Sequence, residues 1–171
     1  MDSKIQAALR AMADYETGCP KRIQHLIKVY TFSQLIALGE GLDPHTQLIL
    51  EAAAVVHDIG IRKAEERFGY YTGKLQEELG PPEAERLLTE LRFPPEVIDR
   101  VCWLVGHHHT YTDIQGLDYR ILVEADFLVN LYEKSEPLEA QRAAWETIFR
   151  TETGRRLFRA HFPAACPEAA D

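Results

Sequence analysis

Three features of the chain have residue types that bind divalent cations: His25, the dipeptide His57-Asp58, and Asp126. The dipeptide closes the largely apolar run 48–56, where two adjacent hydrophilic groups are costly to bury unless a partner satisfies both. A divalent cation would satisfy them together. The residues therefore predict one metal site, assembled from three separate helices.

Asp126 carries more weight than the other candidates, because it is an acid inside an apolar helical segment. His25 alone could be an ordinary half-buried histidine, and Asp58 alone an aspartate near a helix end. Two neutral imidazoles and two carboxylates would balance a divalent charge and leave two positions of an octahedral shell for water or substrate oxygen. Nitrogen and oxygen ligands fit Mn, Fe, Co, Ni, Mg or Zn, and the sequence does not choose among them.

The elements that position these residues are predicted to be helices, since the apolar spacing has no period of two. We predict an all-α, single-domain helical bundle over 1–171, with its core at about 21–132, C-terminal helices at about 137–162 and a disordered tail over 163–171. Capping residues, glycines and prolines place its helices at about 3–15 (capped by Ser3), 21–38, 43–58, 81–91, 94–107, 118–132, 137–151 and 154–162. The segment 62–79 is predicted to be a loop with short helical pieces, forming a lid over the site.

Composition excludes several classes of function. The formal net charge of -8 would repel a nucleic acid polymer, although a small anion could bind in a locally basic pocket. Three cysteines with no CxxC spacing favour a reducing compartment, and no apolar run approaches the roughly 18 residues of a membrane span. The start of the chain does not resemble a signal peptide, so we expect a cytoplasmic protein whose partner is a small anion. The sequence does not determine the oligomeric state.

Basic residues lie close to the predicted ligands. Lys21 and Lys28 share a helical face with His25, and Arg62 follows Asp58 by four residues. A metal ligand between two cations indicates an anionic substrate on the metal. For any single lysine, a solvated helix face is the simpler interpretation.

The order of these residues resembles the HD-domain superfamily of metal-dependent phosphohydrolases. The resemblance spans about 21–132 and depends on His25, the sequence His57-Asp58-Ile59-Gly60, a later histidine cluster at 107–109 and the acid in Glu124-Ala125-Asp126. It implies an all-helical fold, a phosphoester substrate, and metal ligands at His25, His57, Asp58 and Asp126. It also implies that Lys28, three residues after the first histidine, contacts phosphate.

The departures from the family pattern favour one metal over two. Family members with two metals carry a further histidine a few residues before a glycine, and Gln76 stands at the corresponding place before Gly80. A second metal would have to use His107 or His108 with Glu77 or Glu78. Some nucleotidase-like members place a glutamate three residues after the aspartate, where this chain has Ile61, so that route assigns no general base.

The cluster His107-His108-His109 follows a predicted helix, where consecutive side chains point about 100° apart. At most two of the three can then face the site. We take His107 first and His108 second as proton donor, neutral acceptor or phosphate contact, and Asp58 as a ligand that also takes a proton. His45 and His161 are expected at the surface.

The resulting hypothesis is a metal-dependent phosphohydrolase that cleaves a small phosphoester, with a nucleotide as the expected substrate. Tyr70, Tyr71 or Tyr111 could stack on its base. One alternative is release of pyrophosphate from nucleoside triphosphates. Another is a non-catalytic module that binds metal and nucleotide.

Overall fold

The computed structural model describes residues 2–167, which form nine α-helices, one 3₁₀ turn and no strand. The all-α prediction is confirmed. The elements are α1 (Ser3–Tyr15), α2 (Pro20–Glu40), α3 (Pro44–Val56), α4 (Gly60–Phe68), α5 (Gly73–Glu90), α6 (Pro95–Val105), α7 (Leu117–Glu133), α8 (Leu138–Thr147), α9 (Glu152–His161) and the 3₁₀ turn Pro163–Ala165. No helix among these combines the length and apolarity needed to cross a membrane.

Helix α3 is the centre of the bundle. All of its residues from 49 to 56 are buried, and it packs against α1, α2, α6 and α7. The helix begins as predicted, because the Asp43 carboxylate accepts hydrogen bonds from the N–H groups of His45 and Thr46 at 3.0 and 3.1 Å. It ends at Val56, two residues earlier than predicted. The N–H of Ile59 donates to the Val56 carbonyl oxygen at 3.0 Å, which places the His57-Asp58 pair in a tight turn.

The prediction of a loop over 62–79 is wrong. Helix α4 and the first turns of α5 occupy this segment, and the Thr72 hydroxyl caps α5 by accepting the N–H of Leu75 at 3.2 Å. Pro81 and Pro82, which were predicted to start a helix, lie inside α5. Proline disfavours a helix interior locally, but α5 packs extensively against both α4 and α6, and this packing outweighs the local preference.

Helices α4 and α5 approach so closely that their backbones touch at Gly60. A Cβ atom on Gly60 would lie 2.9 Å from both the Gln76 carbonyl oxygen and the Gly80 nitrogen. Only glycine fits a contact this short with backbone atoms on both sides. The contact holds α5, and Gln76 with it, beside the turn that carries Asp58.

The C-terminal helices are anchored to α7 by a buried carboxylate. Glu124 accepts hydrogen bonds from the N–H groups of Arg150 and Thr151 and from the Thr151 hydroxyl, at 2.5 to 3.0 Å. Part of the predicted disordered tail is ordered as the 3₁₀ turn, with Ala165 buried, whereas 168–171 lies outside the described residues. The first helix is capped by Asp2 rather than Ser3, since the Asp2 carboxylate accepts the N–H of Lys4 at 2.7 Å.

We predict that Gly60→Ala lowers the free energy of unfolding by about 1–3 kcal/mol, because the added methyl group meets backbone that cannot rotate away. Thermal or urea denaturation measures the loss. Gly106→Ala is the matched control, since its Cβ would have no neighbour closer than 3.3 Å. Equal effects of the two substitutions would show that the α4–α5 contact is not tight.

Candidate metal centre

Three parts of the bundle deliver four side chains to one point. His25 comes from the second turn of α2, His57 and Asp58 from the turn after α3, and Asp126 from the middle of α7. The Nε2 atoms of His25 and His57 are 3.2 Å apart. Asp126 Oδ1 lies 3.2 and 3.6 Å from these two nitrogens, and Asp58 Oδ2 lies 3.4 and 3.6 Å from them.

Hydrogen bonds on the far side of each ring orient the two histidines. The Nδ1–H of His57 donates to the Ala54 carbonyl oxygen at 2.9 Å, and the Nδ1–H of His25 donates to Glu133 Oε2 at 2.9 Å. When neutral, each ring would therefore direct the lone pair of its Nε2 at the other ring and at the carboxylates. Lys28 holds Glu133 in turn, with Nζ 2.8 Å from Oε1.

The spacing of these atoms fits a shared cation. Ligand atoms that each lie about 2.1 Å from one ion are roughly 3.0–3.4 Å apart at tetrahedral or octahedral angles. Four converging acceptors with no donor between them repel one another unless positive charge lies among them. The group His25, His57 and Asp58 meets the geometric requirement for a metal site, and Asp126 closes its fourth side.

The pKa values of the four side chains reflect how close together they lie. Burial alone would lower the pKa of His57, but the carboxylates of Asp58 and Asp126 outweigh it and raise that pKa to about 9. They raise the pKa of His25 as well, again against the effect of burial. Burial opposes ionisation of the two aspartates, yet the histidines hold the pKa of each aspartate below its usual range.

A second set of possible ligands shares Asp58 with the first and adds His108 and His109. The Nδ1–H of His108 donates to the Val105 carbonyl oxygen at 2.7 Å, which leaves His108 Nε2 at 3.6 Å from Asp58 Oδ1. The Nε2 atoms of both histidines, and Oε1 of the buried Gln76, have no hydrogen-bond partner among the described residues. Burial and the neighbouring His108 lower the pKa of His109 to about 4. One metal rather than two stays a prediction.

The structure does not bring His107 to the cluster. Its ring stacks on Trp103 with centroids 4.0 Å apart, and its Nδ1–H donates to the Trp103 carbonyl oxygen at 2.6 Å. Helix α6 ends at Val105, so the histidines lie in a turn where the helical rotation of 100° does not apply. His109 takes the place that the sequence assigned to His107.

A cavity of about 220 Å³ opens beside the cluster, and its walls revise the predicted substrate contacts. Lys21 lines it as predicted. The predicted contact Lys28 is paired with Glu133 instead, and Arg62 binds the Tyr15 carbonyl oxygen and Glu66 instead. Neither Lys28 nor Arg62 lines the cavity itself.

Lys134, which the sequence reasoning missed, also lines this cavity. It follows Asp126 by eight residues, slightly more than two helical turns. That spacing could have predicted a cation near the site from the sequence. Of the three tyrosines, Tyr71 lines the cavity, Tyr111 lines an adjoining one, and Tyr70 lines neither.

These features define an all-α protein with a buried histidine–aspartate cluster that could hold a metal ion. The HD domain family model matches residues 22–145, well over half of the chain, and the chain belongs to that family. The resemblance read from the residues is thereby confirmed. HD domains bind divalent metals and are generally metal-dependent hydrolases. No curated protein and no solved structure matches the chain.

We predict that the protein purified without chelator carries one equivalent of a divalent metal, and that His57→Ala carries none. The substitution removes one ligand and leaves the remaining three around an open space. Elemental analysis measures the metal, with the exposed His45→Ala as the control. Two equivalents in the parent would show that the second set is also filled, and full occupancy in His57→Ala would exclude this cluster as the site.

Metal binding is predicted to release protons at pH 7. The raised pKa of His57 keeps its ring protonated at that pH when no cation is bound, whereas a ligand imidazole must be neutral. Affinity for Mn²⁺ should therefore rise with pH and level off above about 9. Calorimetric titration in buffers of different ionisation enthalpy counts the protons, and a count of zero would contradict the assignment.

Proposed function

We propose that the protein is a metal-dependent phosphohydrolase that cleaves a small phosphomonoester, a nucleotide by its resemblance to the HD-domain superfamily. The observation that carries the proposal is the four-ligand cluster at the floor of a cavity lined by cations. His57 and Asp126 are almost fully enclosed, whereas the Asp58 side chain is 21% exposed. The cluster is therefore accessible from one side, where Asp58 faces the cavity.

The residues divide the work between holding a cation, holding phosphate and moving a proton. His25, His57, Asp58 and Asp126 would hold the divalent metal, which when bound supplies a Lewis acid that activates water and neutralises phosphate charge. Asp58 would orient the attacking water and take its proton; one of its oxygens belongs to the cluster and the other faces His108, which supports this role. His108 would protonate the leaving oxygen.

The charges lining the cavity favour a monoester over a triphosphate. Lys21 and Lys134 make no ion pair with another described residue, whereas Arg22 is engaged by Glu16 and Glu65 at 2.6 and 2.7 Å. Two free lysines match the charge of about -2 on a phosphomonoester. A triphosphate carries roughly twice that charge and would meet the carboxylates of Glu65 and Glu133 in the same cavity.

The products of hydrolysis test the proposal. We expect free phosphate from nucleoside monophosphates, and a KM raised roughly tenfold by Lys21→Met, since a charge-assisted contact with phosphate is lost. Lys74→Met is the control, because Lys74 is exposed and lies outside the cavity.

Other products would replace the proposal with one of its alternatives. Pyrophosphate from a triphosphate, with no phosphate from a monophosphate, would establish the pyrophosphohydrolase. A melting temperature that rises with nucleotide while a broad phosphoester panel stays intact would establish the binding module.

A further inference from the structure

A second cavity of about 280 Å³ adjoins the one above the metal centre. We call it the side cavity. Its walls include Tyr111, Phe127, Leu131 and Ala140. The two cavities share the lining residues His109, Asn130 and Lys134, so they lie side by side.

One face of α7 connects the side cavity to the metal centre. Phe127, Leu131 and Lys134 recur at spacings of four and three residues, which places them on the same side of the helix. Asn130, at the boundary, donates from Nδ2 to Asp126 Oδ1 at 2.7 Å. Leu131 lies five residues beyond Asp126, roughly 7.5 Å along the helix axis. The side cavity therefore lies within the length of a small molecule from the metal centre.

Tyr111 is held in place on the opposite wall. Its ring packs edge-on against Phe127 with centroids 5.0 Å apart, and its hydroxyl donates to His109 Nδ1 at 3.1 Å. Glu77 fixes the same loop by accepting the N–H of His109 and the hydroxyl of Thr110, at 3.0 and 2.9 Å. The ring is 41% exposed, so part of it is free to contact a ligand at little ordering cost.

We propose that the side cavity binds the alcohol portion of the phosphoester, and that this portion carries a planar aromatic ring. The proposal rests on the phosphohydrolase function. The cavity at the metal centre is smaller than the roughly 300 Å³ of a typical ligand pocket, so a substrate extends beyond it once its phosphate is bound there. The side cavity offers aromatic and aliphatic walls to a ring and, at its rim, Lys134 and Glu136 to polar groups on the ring edge.

A second phosphate group is a poorer occupant of the side cavity. Lys134 is the one cation among its lining residues, and it also lines the cavity at the metal centre. The carboxylate of Glu136 and the apolar walls would both disfavour a further anion.

Two esters that differ only in the aromatic ring provide the test: adenosine 5′-monophosphate and ribose 5-phosphate. Phosphate release gives kcat/KM for each, and we expect the parent to prefer the nucleotide about tenfold, the size of one stacked base. Ala140→Phe fills the side cavity and should reduce that preference about tenfold. Ala143→Phe, on the exposed face of the same helix, is the matched control and should keep the preference.

Tyr111→Ala provides a second route to the same result should Ala140→Phe not fold, since it removes the ring without adding bulk. It too should reduce the preference for the nucleotide. A parent that cleaves both esters equally well, or an unchanged preference in a folded Ala140→Phe or Tyr111→Ala variant, would overturn the assignment of the side cavity while the phosphohydrolase stands. Failure of the metal-loaded parent to release phosphate from either ester, or from a wider panel, would overturn both.

Discussion

The structure depends on the convergence of four acceptor atoms in a place almost closed to water. His25, His57 and Asp126 are 7%, 0% and 4% exposed, so solvent does little to separate their lone pairs. Only positive charge between the four groups makes their approach to 3.2–3.6 Å favourable, whether protons on the imidazoles or a cation shared by all. Helices α2, α3 and α7 must therefore meet at this point.

Backbone and side-chain contacts outside the cluster orient its two histidines. The Ala54 carbonyl oxygen orients His57 from within its own turn, whereas Glu133 orients His25 from the far end of α7. Because Lys28 is held by that same Glu133, its charge supports the orientation of His25. The contact of Lys28 with phosphate that the family resemblance implies stays a prediction.

Residue types and their spacing were sufficient to predict the all-α class and the meeting of His25, His57, Asp58 and Asp126, since both follow from local periodicity and from the cost of burying polar groups. Packing between distant segments decided the features that the sequence did not predict. Contacts with α4 and α6 keep α5 helical through its two prolines, so the segment predicted as a loop is mostly helical. The turn after Val105 directs His109 rather than His107 to the site, and no rule of helical rotation applies there.

Ordered elements form the walls of both cavities. Helix α7 carries a metal ligand at Asp126, the boundary residue Asn130 and the free cation Lys134, all within slightly more than two turns of one helix. A rigid helix fixes the distances between them, and Glu77 fixes the facing loop through hydrogen bonds to α5. Because both walls of the side cavity are anchored, under the proposed function its fixed shape would select among phosphoesters.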